Sequence, residues 1–215
     1  MSVQRIAILG AESTGKSTLT AALAAAYDTV WVAEYLRQFV EAQQRVPFED
    51  DQLAIARTQL SHEEALAAGA RGLLFCDTTP LMTAVYSDIY WSRVPPELDA
   101  LAGEHAYALT FVAAPDGPWV PDGLQRESAE VRLRVHAALL ARLRRQGVAH
   151  TLLEGSLEAR LAQAAPLLAR LTGGGGSGNA GSTGNTISSI NSINSINSMS
   201  GSSSSTTHST QDRSR

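Results

Sequence analysis

Residues 10–17 read Gly10-Ala11-Glu12-Ser13-Thr14-Gly15-Lys16-Ser17, a G-x-x-x-x-G-K-[ST] string. It follows a β-rich apolar run, VQRIAIL at 3–9, and opens an Ala-rich stretch, 16–27, of helical character. Strand, glycine-containing loop and helix in that order make a phosphate-binding loop. The two glycines let the chain turn tightly so that successive amides face phosphate oxygens, Lys16 places a compact positive charge on the β- and γ-phosphates, and the Ser17 hydroxyl can ligate Mg²⁺. The expected ATP-binding segment is therefore Gly10 through Ser17 together with Thr18 in the first helical turn. Lys16 is the one lysine of the chain, against 16 arginines. A flexible ammonium fits a tight phosphate cradle where a planar guanidinium fork does not. With no second lysine, a guanine-specific N-K-x-D motif cannot exist, which argues against a Ras-type GTPase.

Outward from the loop, short β-rich runs alternate with longer helical stretches. Further strands are expected at 29–33, 72–77 (GLLFCD), 107–114 and 149–155. Two helical segments separate near Pro47, the second over 50–68. Others follow Pro80 and Pro95 or Pro96, residues that suit a first turn, and the last two cover 127–146 and 157–171. Five strands alternating with helices predict an α/β fold: a parallel sheet covered by helices on both faces, with its ligand crevice beyond the carboxyl ends of the strands.

Composition bounds the rest. Residues 173–215 hold 8 Gly and 14 Ser, no aromatic residue and three charges, and they repeat a Ser-Ile-Asn triplet. Such a segment has too little apolar surface to offset the entropy of ordering it, so 1–172 is expected to fold as one domain and 173–215 to form a disordered tail. A single cysteine, Cys76, excludes an internal disulfide and the paired motifs of zinc ribbons, and is expected to be an inert core thiol. The net charge of −4 gives a poor surface for nucleic acid and favours small ligands. No uninterrupted apolar run is long enough to span a membrane and the first residues do not resemble a secretory signal, which points to the cytoplasm. Oligomeric state is open.

Several residues are candidates for chemistry. Asp77 ends an apolar strand where a phosphate-loop protein places the acid that holds Mg²⁺, though a solvated strand end or helix cap has the same look. Thr78 and Thr79 cap the next helix or line the pocket. Glu34, ending the second strand, can accept a hydroxyl proton; Tyr35 can stack on a ring and Arg37 can hold the acceptor or a phosphate. The competing reading of Glu34 is an exposed helix start. The loop PWVPDGLQRES carries Arg126, with Arg132 and then Arg134 behind it, and arginines on a mobile lid can stabilise a phosphoryl group in transfer. Arg142, Arg144 and Arg145 read as a solvated helix face. Gly155 and Ser156 follow the last strand, where a nucleotide base can meet backbone; equally, Ser156 can N-cap the last helix, with Glu158 and Arg160 solvated.

At these residues the sequence resembles the ribosylnicotinamide kinase domain of bacterial NadR and the wider group of NadR-like P-loop ATPases. GAESTGKS matches that family's G-x-E-S-x-G-K-S loop, Glu12 and Ser13 included. AEYLRQFV at 33–40 resembles its W-E-Y-x-R-E-F block, LLFCDTTPLMT at 73–83 its F-x-D-T-D-x-x-T-T block, and PWVPDGLQR its W-V-x-D-G-x-R lid. Thr79 stands where the family has a second Asp, Gln38 where it has Glu, and the lid carries one extra residue before Arg126. The resemblance implies a nucleoside/nucleotide-kinase-like P-loop NTPase fold with sheet order 2-3-1-4-5. It also implies ATP with Mg²⁺ and phosphorylation of the 5′-hydroxyl of nicotinamide riboside. On that reading Lys16 holds phosphate, Ser17 and Asp77 hold the metal, and Glu34 serves the acceptor with Tyr35, Arg37, Thr78 and Thr79 around it. Arg126 and Arg132 then close over the transferred group. The alternative is a nucleotide-dependent ATPase or switch acting on a protein partner.

Overall fold

The computed structural model of the chain describes residues 3–119 and 128–173. Strand β1 (Gln4–Leu9) runs into the phosphate loop and α1 (Lys16–Ala26), and β2 (Trp31–Val32) leads to α2 (Tyr35–Gln43). A 3-10 turn, Glu49–Asp51, opens α3 (Gln52–Ala67). Then come β3 (Leu73–Asp77), α4 (Pro80–Trp91), α5 (Pro96–Gly103), β4 (Leu109–Ala113), α6 (Ala129–Arg145), β5 (Thr151–Leu153) and α7 (Leu157–Leu171). All strand pairs are parallel and the sheet order is β2-β3-β1-β4-β5, as the resemblance implies.

Register explains why the central strands read as unbroken apolar runs. Ala7 lies beside Cys76 and Leu9 beside Val112. Ala7, Leu9 and Val112 pack with Leu81, Met82 and Val85 of α4 and Val135, Leu139 and Leu143 of α6. The alternate residues Ile6 and Ile8, paired with Phe75 and Phe111, are equally buried on the opposite face. There the ring of Tyr27, at the end of α1, meets Phe75 with centroids 6.0 Å apart, and α7 packs beside α1. A strand covered on both faces has no polar face to show.

The edge strands are shorter than expected. At β2 only Trp31 and Val32 join the ladder. Just before them the Thr29 hydroxyl donates to the Leu73 carbonyl (2.7 Å) and accepts from the Arg71 N–H (2.9 Å), so a side chain takes the place of ladder bonds. Arg142 departs from expectation as well. It lies in the buried stripe of α6, three residues beyond Leu139, and pairs with Asp99 of α5 instead of facing water. The expected tail, beyond Gly173, and the lid residue Arg126 lie outside the described residues. Among those described, no helix is long and apolar enough to cross a membrane.

One buried carboxyl lies well below the strand ends that carry the phosphate loop. Glu63 of α3, fully buried, accepts from the Tyr107 hydroxyl (2.8 Å) and lies 3.5 Å from the Arg5 guanidinium. Burial drives its pKa up to about 7, against the Tyr107 hydrogen bond, the Arg5 charge and the Cys76 thiol. Burial first, and then the Glu63 charge, push that thiol up, which keeps Cys76 inert. Because the folded pKa of Glu63 exceeds its unfolded value, the native state binds the extra proton. Its stabilising effect is full below about pH 4.5 and is lost as pH rises through 7. Between pH 5 and 8 the unfolding free energy should therefore fall by an amount on the order of 3 kcal/mol from this group. Denaturant titrations should show that slope flattened in Glu63→Gln; an unchanged slope would assign the titration elsewhere.

Candidate active site

The site gathers where five strands end. The phosphate loop depends on unusual backbone: Gly10, Ser13 and Gly15 have φ of 152, 53 and 78°. At Gly10 a Cβ would stand 2.9 Å from the Thr14 hydroxyl and 3.0 Å from the Ala113 carbonyl, so only glycine fits. The loop closes with the Thr14 hydroxyl donating to Ala11 O (2.7 Å) and the Lys16 ammonium donating to the same oxygen (3.1 Å). Helix α1 then starts with no side-chain cap and no acidic residue in its first turn. Its leading amides and dipole are left for an anion. Thr18 is exposed on that first turn, and Ala11 is buried beneath the loop.

Strands β2 and β3 deliver two carboxyl groups to the loop. Asp77, the last residue of β3, is fully buried, and neither of its carboxylate oxygens has a well-formed hydrogen bond. Burial, followed by the Glu34 charge, raises its pKa to about 6; Lys16, the nearby Ser17 hydroxyl and Arg37 oppose the rise. Glu34 opens α2 and is itself buried, accepting from the Thr78 hydroxyl at 3.1 Å. Thr78 has φ 75°, a conformation that a β-branched residue adopts only under strain, commonly ~1–3 kcal/mol. Its N–H on Ile8 O (3.0 Å) and its hydroxyl on Glu34 hold it there. Thr79 starts α4 ahead of Pro80 but makes no cap; its hydroxyl is buried without a hydrogen-bond partner.

The expected residues are thus largely brought together: Lys16, Ser17, Glu34, Arg37, Asp77 and Thr78 share one electrostatic neighbourhood. Tyr35 borders it with its ring edge-on to His62, centroids 5.3 Å apart. Arg132 differs from the expected lid group: it is buried and donates to Gly117 O at 3.0 Å, holding the start of the loop from inside. Ser156 takes the capping role, accepting from Ala159 N at 3.3 Å. The Gly155 N–H, offered above to a base, instead donates to Asp116 at 2.5 Å.

Three groups escaped the sequence reading. Gln59 of α3 is buried, accepts from Tyr35 N (2.8 Å) and donates to Asp77 O (3.4 Å), tying the two carboxylate-bearing segments together. Tyr86 of α4 is buried, and after burial itself the charges of Glu12, Glu34 and Asp77 push its hydroxyl pKa up. Arg160, expected in solvent, is buried against the phosphate loop. Helical spacing showed that these positions are on helices; only the contacts show which face meets the site.

A profile described as an AAA domain matches residues 5–160. The chain belongs to that family. It is similar to the "Trifunctional NAD biosynthesis/regulator protein NadR" of Salmonella typhimurium, 30% identical over 147 residues, which is 66% of this chain and 35% of that protein. The chain thus spans about a third of the length of that curated relative. Among solved structures, a NadR protein in complex with NR matches with a TM-score of 0.66 at 23% identity, over 80% of this chain and 52% of that one. NadR in complex with NAD and AMP-PNP matches with a TM-score of 0.67 at 22% identity, over 84% and 52%. The P-loop kinase-type fold and the NadR-like resemblance therefore stand on the sheet order, the family match and these relatives together.

Proposed function

We propose that the chain is an ATP-dependent small-molecule kinase that transfers the γ-phosphoryl group to the hydroxyl of a nucleoside-type acceptor, above all the 5′-hydroxyl of nicotinamide riboside. The observation that carries this reading is Glu34, a buried carboxylate fixed by Thr78 beside Asp77 and Lys16. A phosphate loop needs no such group to bind ATP; an acceptor hydroxyl that must lose a proton does. The NR complex of the similar NadR protein supports the choice of acceptor.

Mg²⁺ suits the residues present. The Asp77 oxygens, which lack a well-formed hydrogen bond, and the neighbouring Ser17 hydroxyl are hard oxygen donors, and a divalent cation would offset the cost of burying the Asp77 charge. No group of three or more potential metal-ligating side chains exists among the described residues, consistent with an ion completed by nucleotide phosphates and water. Ser17 and Asp77 would hold it, and its charge would offset that of the phosphates.

The chain's own groups divide the remaining work. The loop amides and Lys16 grip the phosphates, and Glu34 orients the acceptor hydroxyl and takes its proton. Arg37, Tyr35 and Tyr86 border the acceptor. Arg126, outside the described residues, is the lid arginine of this reading, with Arg132 bracing the lid's start. Thr79, which brings no charge, favours the second reading, a nucleotide-dependent switch that acts on a protein partner. A nucleoside panel with ATP, scored for ADP release, separates the two: a kinase shows release stimulated by one class of nucleoside, and a switch shows the same rate with all and with none.

A further inference from the structure

We infer that Arg160 is a positioning residue for the phosphate loop: it aims the Gly15 amide into the phosphate cradle by holding the Thr14–Gly15 peptide plane. Its guanidinium, from the first turn of α7, donates through Nη1 to Thr14 O (2.5 Å), through Nε to Gly155 O (3.0 Å) and through Nη2 to Ala114 O (3.0 Å) and the Asp116 carboxylate. One buried side chain thereby joins the loops that follow β1, β4 and β5. Asp116 fixes the arrangement from the other side by accepting from Gly155 N.

A trans peptide is planar, with C=O and N–H pointing in opposite directions. Holding the Thr14 carbonyl outward on Arg160 therefore turns the Gly15 N–H inward, to the side where the Lys16 ammonium lies over Ala11 O. Gly15 has φ 78°, and among the described residues beyond its chain neighbours a Cβ there would come within 4 Å of Arg160 Nη1. A plane flanked by glycine rotates readily, so the loop's aim rests on the hydrogen bond. Because Asp116 balances the charge, Arg160 acts here through geometry rather than as a general attraction for phosphate. Its fork is the necessary feature: an ammonium at that place cannot serve four acceptors in a plane.

The inference rests on the phosphate-loop part of the reading above. Calorimetry with ATP and with tripolyphosphate, and the amide resonances of the loop, test it in wild type, Arg160→Lys and Asp116→Asn. Asp116 is partly exposed and its replacement by Asn keeps the side chain's shape, so this is the milder variant, and a thermal melt establishes that each variant is folded. Wild type should bind both ligands, with the Gly15 amide resonance moving on binding. Arg160→Lys should lose tenfold or more in affinity for both, by the same factor, with the Gly15 shift on binding lost; Asp116→Asn should lose several-fold. Wild-type affinity and an intact Gly15 shift in Asp116→Asn, or in a folded Arg160→Lys, would overturn the inference, as would stability falling with affinity unchanged. Failure of wild type to bind ATP would instead overturn the phosphate-loop reading itself.

Discussion

Lys16→Ala is expected to reduce ATP affinity by at least ~100-fold, the loss of a charge-assisted contact to two phosphate groups, in a protein that still unfolds cooperatively. In the free protein the Lys16 ammonium donates to Ala11 O and its charge offsets that of the buried Asp77, contacts local to the loop and not part of the apolar core, so the fold should survive its loss. No other lysine exists to substitute. Lys16→Arg should also bind poorly although it keeps the charge, because the cradle closed by Thr14 and Ala11 admits a point charge and not a fork. Calorimetry beside a thermal melt checks both variants. Full binding in either would mean that the loop does not hold the nucleotide through this residue.

The second large effect separates binding from chemistry. Glu34→Gln keeps shape and keeps an oxygen for the Thr78 hydroxyl, so the strained turn at Thr78 should survive. It removes the negative charge that helps raise the Asp77 pKa, which leaves Asp77 more readily ionised. ATP affinity should therefore stay within a few-fold. Acceptor phosphorylation should fall by roughly 10²-fold or more, the usual scale for a positioned general base. In a nucleotide switch Glu34 has no proton to take, and its variant would hydrolyse ATP at the wild-type rate. Steady-state assays with and without nucleoside distinguish these outcomes.

Much of the fold was legible because the central strands and the phosphate loop obey local rules. The run 72–77 is apolar since β3 is buried on both faces, and Gly10 is glycine since nothing larger fits beside Ala113. Edge strands were read too long because their ends bond to side chains, as at Thr29, a choice made by tertiary contact. The carboxylates Glu34 and Asp77 could be found because Asp77 ends β3 and Glu34 closely follows β2, both beside the loop. Arg160 and Arg142 could not, since an arginine in a helix looks the same whether it meets water or a buried carbonyl and carboxylate. Gln59 and Tyr86 were hidden likewise: each is an ordinary helical residue until α3 and α4 are laid against the strand ends.

The most direct test of the kinase assignment is ³¹P NMR of ATP incubated with Mg²⁺, the full chain and nicotinamide riboside, alongside other ribonucleosides. A new phosphomonoester resonance should grow as the ATP γ-phosphate signal falls, one for one with ADP, foremost with nicotinamide riboside, and should be nearly absent with Glu34→Gln. Inorganic phosphate, or no turnover, with every nucleoside in place of a phosphomonoester would contradict it.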